Sequence, residues 1–371
     1  MPPRAPAPVA GLCVAVAVSG GVDSLHALLR LHATPGLRVM AIHGRFLPAA
    51  ELERDPVPPL RELCAARGIP FHCLDCTGTF AARVITPFLR AYAAGHTPNP
   101  CALCNAQVKF GALWEAARAL GANQLATGHY ARLAHAADGT PELYRANDPA
   151  KDQSYFLALV PRERLVGVRF PLAAISKSEV VRWLAGQGVD VPLPGESQEI
   201  CFVPQDAYRP FVERECARRG IALGGPGEAL LNAGQPGERC LGRHGGLWRY
   251  TEGQRRGLGL AWSEPLYVQG KDMARNVLKL CTKADLAVHG VRVEQLNMLV
   301  PRCQWPDALL ARVRYKQQPV PAIVREEAPE RPGSLTLTFA TPQAPTAPGQ
   351  VAALYDAAGR VLAGGIIAEI C

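Results

Sequence analysis

The sequence predicts an α/β protein: an N-terminal doubly wound parallel sheet, then a small central domain, then a C-terminal β-barrel. Three observations predict this. Short apolar runs alternate with helical stretches from Leu12 to about Gly128. Residues 220–260 are rich in glycine and arginine, with little helical periodicity. From about residue 290, short alternating segments are separated by Pro/Gly-rich turns. Strand–helix alternation builds a parallel sheet with helices on both faces. Short, evenly spaced alternating strands build a closed or nearly closed barrel.

In chain order, LCVAVAV (12–18) is a buried-strand pattern, followed by SGGVDS and a helical LHALLRLHA. LRVMAIHG (37–44) is a second strand, LRELCAARG (60–68) a helix stopped by glycine, and IPFHCLD (69–75) a third strand. VKFGALWEAARALG (108–121) reads as one helix, and NQLATGHY (123–130) as a strand running into a turn. The late segments VRVEQL, ARVRYKQ, AIVREE, SLTLTF, VAALYD and VLAGGIIAEI supply the barrel. The expected domains are 1–205, 206–288 and 289–371.

The chain has 371 residues, enough for several cores. No apolar run approaches the roughly 20 residues of a spanning helix. The stretch MPPRAPAPVAGLCVAVAVSGG lacks a basic cluster and a cleavage site, so a cytoplasmic location is expected. Net charge is +8, which suits either a polyanion partner or a solvated basic surface. In a reducing compartment, clustered cysteines point to catalysis or metal binding rather than to a disulfide framework.

SGGVDS (19–24) joins a buried strand to a helix. Gly20 and Gly21 let the backbone turn and approach an anion, and the helix start offers unpaired N–H groups. Ser19 and Ser24 add hydroxyls. Asp23 is expected to hold Mg²⁺ or a backbone amide. The string is neither a Walker A nor a GxGxxG pattern.

This loop resembles the pyrophosphate-binding loop of the PP-loop ATPases, which implies an adenine-nucleotide α-hydrolase-like fold that cleaves ATP to AMP and pyrophosphate. Further stretches are similar, in order, to the bacterial tRNA-specific 2-thiouridylases: GHTPNPCALCN (95–105), ATGHYAR (126–132), KDQSYFL (151–157), ESQEICFV (196–203), EGQRRGLGL (252–260), RYKQ (314–317) and APGQVAALYD (347–356). The resemblance implies adenylation of the C2 oxygen of a wobble uridine, followed by sulfur transfer. It places Cys104 as nucleophile and Cys201 as the persulfide carrier. It places Ala17, Val18, Ser19, Gly20, Gly21, Val22, Asp23, Ser24, Gly44 and Gly128 around ATP, with Mg²⁺. It sets Asn99, Pro100 and Cys101 against the target base, and His129, Lys151, Asp152, Gln153, Arg314, Tyr315 and Gln350 against tRNA. The implied partners are the tRNAs for Lys, Glu and Gln and a sulfur donor, such as a relay protein or cysteine desulfurase. No membrane is implied.

The sequence departs from that family at Cys101, where members carry Asp. Cys101, Cys104 and Cys201 together also resemble the three thiolates that hold a [4Fe–4S] cluster in other tRNA thiolases. A persulfide mechanism and a cluster mechanism therefore both stay open. HGRF (43–46) departs from the apolar residue expected near adenine, and Cys73 and Cys76 read as structural thiols. Residues 190–205 are expected to form a mobile loop, because Cys201 must approach Cys104. His129 after a glycine also fits a turn histidine, and Arg314–Lys316 a solvated strand face. Two other functions compete: a PP-loop synthetase acting on a small molecule, and a non-catalytic RNA-binding or sulfur-carrier protein.

Overall fold

The computed structural model describes residues 11–193, 200–203, 208–326 and 333–371. The expected mobile loop falls partly outside these residues. Two compact units divide the chain. The first takes in the described parts of Met1–Val84, Cys101–Gln198 and Ala358–Val361, and the second those of Ile85–Pro100, Glu199–Ala357 and Leu362–Cys371.

The first unit begins with β1 (Cys13–Ala17), α1 (Val22–His32), β2 (Arg38–Arg45), α2 (Val57–Ala66), β3 (Phe71–Asp75) and α3 (Thr77–Phe80). Helix α4 (Thr86–Ala93) belongs to the second unit. There follow α5 (Pro100–Cys104), a π-helical stretch (Asn105–Leu113), α6 (Trp114–Ala119), β4 (Gln124–Thr127), the hairpin β5 (Arg132–His135) and β6 (Pro141–Tyr144), α7 (Ser154–Leu157), β7 (Val168–Arg169) and α8 (Lys177–Gly186). The sheet order is β3-β2-β1-β4-β7, and all pairings are parallel. Val14, Val16, Leu25, Leu28, Ala126 and Leu184 share one core. Two buried faces explain why β1 reads as an unbroken apolar run. The order reverses between β1 and β4. Open parallel sheets bind ligands at such a point, beyond the carboxyl ends of the strands.

The predicted helix over 108–121 is two pieces. Gly111 leaves helical geometry (φ −112°, ψ −107°). A Cβ at that position would lie 2.7 Å from Arg164 Nη1, and the same guanidinium donates to the Ala106 carbonyl at 2.6 Å. The missing side chain admits the arginine, and the arginine satisfies a carbonyl the distorted turn leaves over. Replacing Arg164 by methionine is expected to cost about 2 kcal/mol. Thermal unfolding measures this as a lowered midpoint.

The second unit holds α9 (Tyr208–Arg218) and a four-stranded sheet of β8 (Gly227–Leu231), β9 (Arg239–His244), β10 (Tyr267–Asp272) and β11 (Val277–Cys281), in the order β10-β11-β8-β9. A closed barrel follows: β12 (Val288–Met298), β13 (Leu309–Arg312), β14 (Val320–Glu326), β15 (Leu335–Gln343), β16 (Val351–Tyr355) and β17 (Val361–Ile370), in the order β12-β15-β14-β13-β16-β17. Alternating inward residues such as Val291, Val293, Leu335 and Leu337 fill it. Among the described residues, no helix is long and apolar enough to cross a membrane.

Candidate active site

The loop after β1 lies at the switch point of the sheet. Val18 N–H donates to Ile42 O at 2.8 Å, and His43 Nδ1 lies 2.8 Å from Val18 O. Burial holds the His43 imidazole below its ordinary pKa, so it acts as a neutral tie on the loop. Gly20 has φ +92°, and a Cβ there would come within 2.8 Å of Pro56 Cβ. Only glycine takes this turn without strain. Helix α1 then starts at Val22, with no side-chain cap from Gly21. Ser24 Oγ donates to Gly21 O at 2.9 Å and accepts from Ser19 N–H at 3.2 Å, so the hydroxyls brace the loop internally. An uncapped helix start behind a Gly-Gly turn fits the phosphates of a nucleotide.

Asp23 is engaged differently from the expectation. Both carboxylate oxygens accept from Lys177 Nζ at 2.7 Å, and Oδ1 accepts from Tyr130 Oη at 2.8 Å. Neither a backbone amide nor a metal is needed to satisfy it. A carboxylate already neutralised by an ammonium is a poor magnesium ligand, so Asp23 does not fit that role in this arrangement. Lys177 opens α8 behind a capping box of Ser176 and Glu179. The S-x-x-E string marks that helix start in the sequence, but nothing there pairs it with Asp23, 154 residues away.

Gly128 ends β4 beside this loop. A Cβ on it would lie 2.8 Å from Asp23 C and from Ser24 N. The glycine is there so that β4 can pass the start of α1. Gly44 is similarly crowded: a Cβ would meet Phe46 Cε1 at 2.8 Å. Phe46 stacks on Phe80 with centroids 5.1 Å apart and planes 8° apart.

Cys101 and Cys104 lie on α5 in the first unit, and Cys201 lies in the second. Cys101 and Cys201 are exposed, while Cys104 is buried at 7%. The protein atoms crowded around Cys101 push its thiol pKa up, and Lys109 opposes this. Lys109, absent from the sequence reading, also faces His129. His129 is half-buried between Phe110 and Phe170, with Nδ1 2.8 Å from Thr127 Oγ1. Its burial, helped by Lys109, holds the imidazole pKa well below the ordinary value. Both effects favour the neutral imidazole. Asn105 is buried, donates to Phe156 O at 3.1 Å and leaves its Oδ1 without a hydrogen bond.

Two members of the KDQ triplet are bonded within the protein. Asp152 is 1% exposed and accepts from Ala146 N–H at 3.0 Å, Ser154 N–H at 3.1 Å and Ser154 Oγ at 3.0 Å. A carboxylate buried among donors holds the local backbone together. Gln153 is tied both ways to Tyr130: Oε1 accepts from Tyr130 N–H at 2.9 Å, and Gln153 N–H donates to Tyr130 O at 2.8 Å. The triplet thus supports the tyrosine that meets Asp23. Lys151 is half-buried. Arg314 is exposed and Tyr315 half-buried on the turn between β13 and β14, which buried Arg312 braces by donating to the Tyr315 carbonyl. Gln350 Nε2 donates to Thr97 O at 2.7 Å, and Asn99 and Pro100 follow directly in the chain. Cys73 is half-buried and Cys76 buried, which accords with structural thiols. Among the described residues, no three His, Cys, Asp or Glu side chains are gathered to hold a metal ion.

A glycine turn at the switch point of a parallel sheet, opening an uncapped helix, defines a nucleotide-using α/β enzyme of the PP-loop class. The accompanying sheet and closed barrel narrow that class. The chain belongs to the tRNA-specific 2-thiouridylase family. It is 48% identical over 363 residues to the tRNA-specific 2-thiouridylase MnmA of Oleidesulfovibrio alaskensis, covering 96% of this chain and 99% of that one. The Desulfosudis oleivorans protein of the same name is 41% identical, covering 95% and 94%. Family models described as tRNA methyl transferase HUP domain, tRNA methyl transferase PRC-barrel domain and aminomethyltransferase beta-barrel domain match residues 12–205, 233–282 and 288–367. Their methyltransferase labels differ from the names of the full-length relatives. Among solved structures, the U34-tRNA thiolase NcsA of Methanococcus maripaludis, with its [4Fe-4S] cluster, matches at a TM-score of 0.35 and 17% identity over 56% of this chain and 65% of that one. That likeness is too slight to bear on mechanism. Family membership sets aside the small-molecule synthetase and the non-catalytic carrier.

Proposed function

We propose that this enzyme thiolates the wobble uridine of tRNA at C2, using ATP and a persulfide on Cys201. The observation that supports this most is the placing of the phosphate loop and Cys104 in one compact unit, on the PP-loop side of a thiouridylase sequence. The uracil C2 oxygen is a poor leaving group. Transfer of AMP from ATP converts it into a good one, with pyrophosphate departing. The uncapped amides at the start of α1 are the groups that meet the phosphate charge. The terminal sulfur of the Cys201 persulfide attacks C2, and AMP leaves with the oxygen. The Cys104 thiolate then attacks Cys201 Sγ, and the S–S bond to the base breaks. A Cys104–Cys201 disulfide forms, the base keeps the sulfur, and a cellular thiol reductant restores both cysteines.

In this reading Mg²⁺ arrives with the nucleotide, held by phosphates and water rather than by Asp23. Asn99 and Pro100 face the base. Lys151, Arg314 and Tyr315 contribute to the tRNA surface, with the tRNAs for Lys, Glu and Gln as substrates. A relay protein or a cysteine desulfurase loads Cys201. The division into domains 1–205, 206–288 and 289–371 and a cytoplasmic location belong to the same proposal. Family matches over 12–205, 233–282 and 288–367 support the division, and the location follows from the substrates. Cys101 takes the place of the family's aspartate without becoming an iron ligand. Anaerobic purification tests this: the expected protein contains no stoichiometric iron or acid-labile sulfide and thiolates tRNA when given a persulfide donor. Iron near four per chain, with activity lost on its removal, would establish the cluster instead.

A further inference from the structure

Cys104 lies at the join of α5 and the π-helical stretch, in helical geometry (φ −59°, ψ −45°). A π-helical turn shifts the backbone ladder, and such turns collect at functional sites. Two side chains from later in the chain hold the start of this one. Asn105 Nδ2 donates to Phe156 O, in α7, at 3.1 Å, and Arg164 Nη1 donates to Ala106 O at 2.6 Å. Cys104, Asn105, Phe156 and Arg164 all belong to the first unit. Asn105 is 2% exposed, and its Oδ1 has no hydrogen-bond partner. A buried amide with one atom unpaired costs stability relative to an apolar residue of the same shape. The bond made by the other atom is then what asparagine contributes at this position. Its anchor is itself fixed: Phe156 N–H donates to Gln153 O at 3.0 Å, and the Phe156 ring meets the buried Tyr155 edge-on at 5.4 Å. Ala102, Ala106 and Val108, on either side in the chain, are buried as well.

We propose that Asn105 is a positioning residue for Cys104, setting the direction from which that thiolate attacks. The amide fastens the residue next to the sulfur onto α7, and so holds the last turn of α5. In the thiolation reading, on which this inference rests, Cys104 acts late. Its thiolate attacks Cys201 Sγ, the bond from Cys201 to the base-bound sulfur breaks, and the base keeps that sulfur as its thiolate. Adenylation comes earlier and does not use Cys104. Loosening Asn105 therefore slows the late step and leaves the early one unchanged. A displacement near 1 Å of a reacting group costs on the order of 100-fold in rate.

Three full-length proteins test it: wild type, Asn105→Leu, which keeps the volume and removes both amide atoms, and Asn105→Asp, which keeps the shape and removes only the donor. Persulfide-loaded enzyme is mixed with tRNA and ATP. Pyrophosphate release and the decay of the covalent tRNA–Cys201 adduct are followed in time. Separately, alkylation of Cys104 by iodoacetamide in the free protein is located by mass spectrometry. In both variants the adduct is expected to decay roughly 10- to 100-fold more slowly. Pyrophosphate release should stay within about threefold of wild type. Cys104, buried in the wild type, should alkylate about tenfold faster once the turn opens more readily. Arg164→Met, which frees the neighbouring carbonyl, is expected to move all three readings the same way, and it decides the matter if neither variant at 105 folds. Equal slowing of pyrophosphate release and adduct decay would overturn the proposal and leave Asn105 a residue of the fold alone. Unchanged adduct decay or unchanged Cys104 alkylation would also overturn it. Failure of wild type to thiolate tRNA would count against the proposed function, while the alkylation rate would still report the fastening.

Discussion

Serine at position 201 is expected to abolish thiolation, with a loss on the order of 10⁴-fold or more. An alcohol cannot carry a persulfide, so no sulfur reaches the base. The side chain is exposed, which suits loading by a donor protein. Its neighbour Phe202 is buried, edge-on to Phe88 at 5.2 Å and close to Phe211 at 5.7 Å. The thiol thus adjoins a residue packed between α4 and α9. Serine at position 104 should stop turnover just as completely but at a later stage. Sulfur already joined to C2 would remain linked to Cys201, because the second thiolate is missing. A covalent tRNA adduct, visible on a denaturing gel and released by dithiothreitol, is expected in Cys104→Ser and not in Cys201→Ser. Full activity in either variant would remove the basis of the mechanism.

Alanine at position 128 is the second large effect. Its Cβ would stand 2.8 Å from two backbone atoms of Asp23 and Ser24, well inside contact distance. Backbone must shift, and the backbone in question is the first turn of α1. Overpacking of this kind costs about 1–3 kcal/mol. Here it falls on the uncapped amides and on the Asp23 contacts to Lys177 and Tyr130. The KM for ATP is expected to rise roughly 10- to 100-fold by that measure. Isothermal titration with a non-hydrolysable analogue checks it. An unchanged nucleotide affinity would mean that the α1 start does not hold phosphate.

Much of this was legible in the sequence, because burial on both faces writes β1 as an unbroken apolar run and gives β2 an apolar VMAI centre. The Gly20–Gly21 turn is readable for a similar reason, since few residues tolerate that backbone. What escaped depends on long-range pairing. Lys177 looks like any helix-start lysine until the fold brings it to Asp23. The break at Gly111 comes from Arg164, more than fifty residues on, so periodicity alone predicts one helix. The KDQ string suggested a polar surface, yet Asp152 is enclosed by donors from Arg145, Ala146 and Ser154, all within eight residues of itself. Polar residues in a motif look alike whether they face water or the interior.

Cys240, Cys303 and Cys371 are exposed as well as Cys101 and Cys201. Surface thiolates oxidise and cross-link in air. Stored aerobically, the purified chain will drift toward intermolecular dimers that owe nothing to turnover. Persulfide counting by alkylation would also read five accessible sulfurs where two or three concern the chemistry. A background carrying serine at 240, 303 and 371 is the form in which sulfur loading can be titrated cleanly.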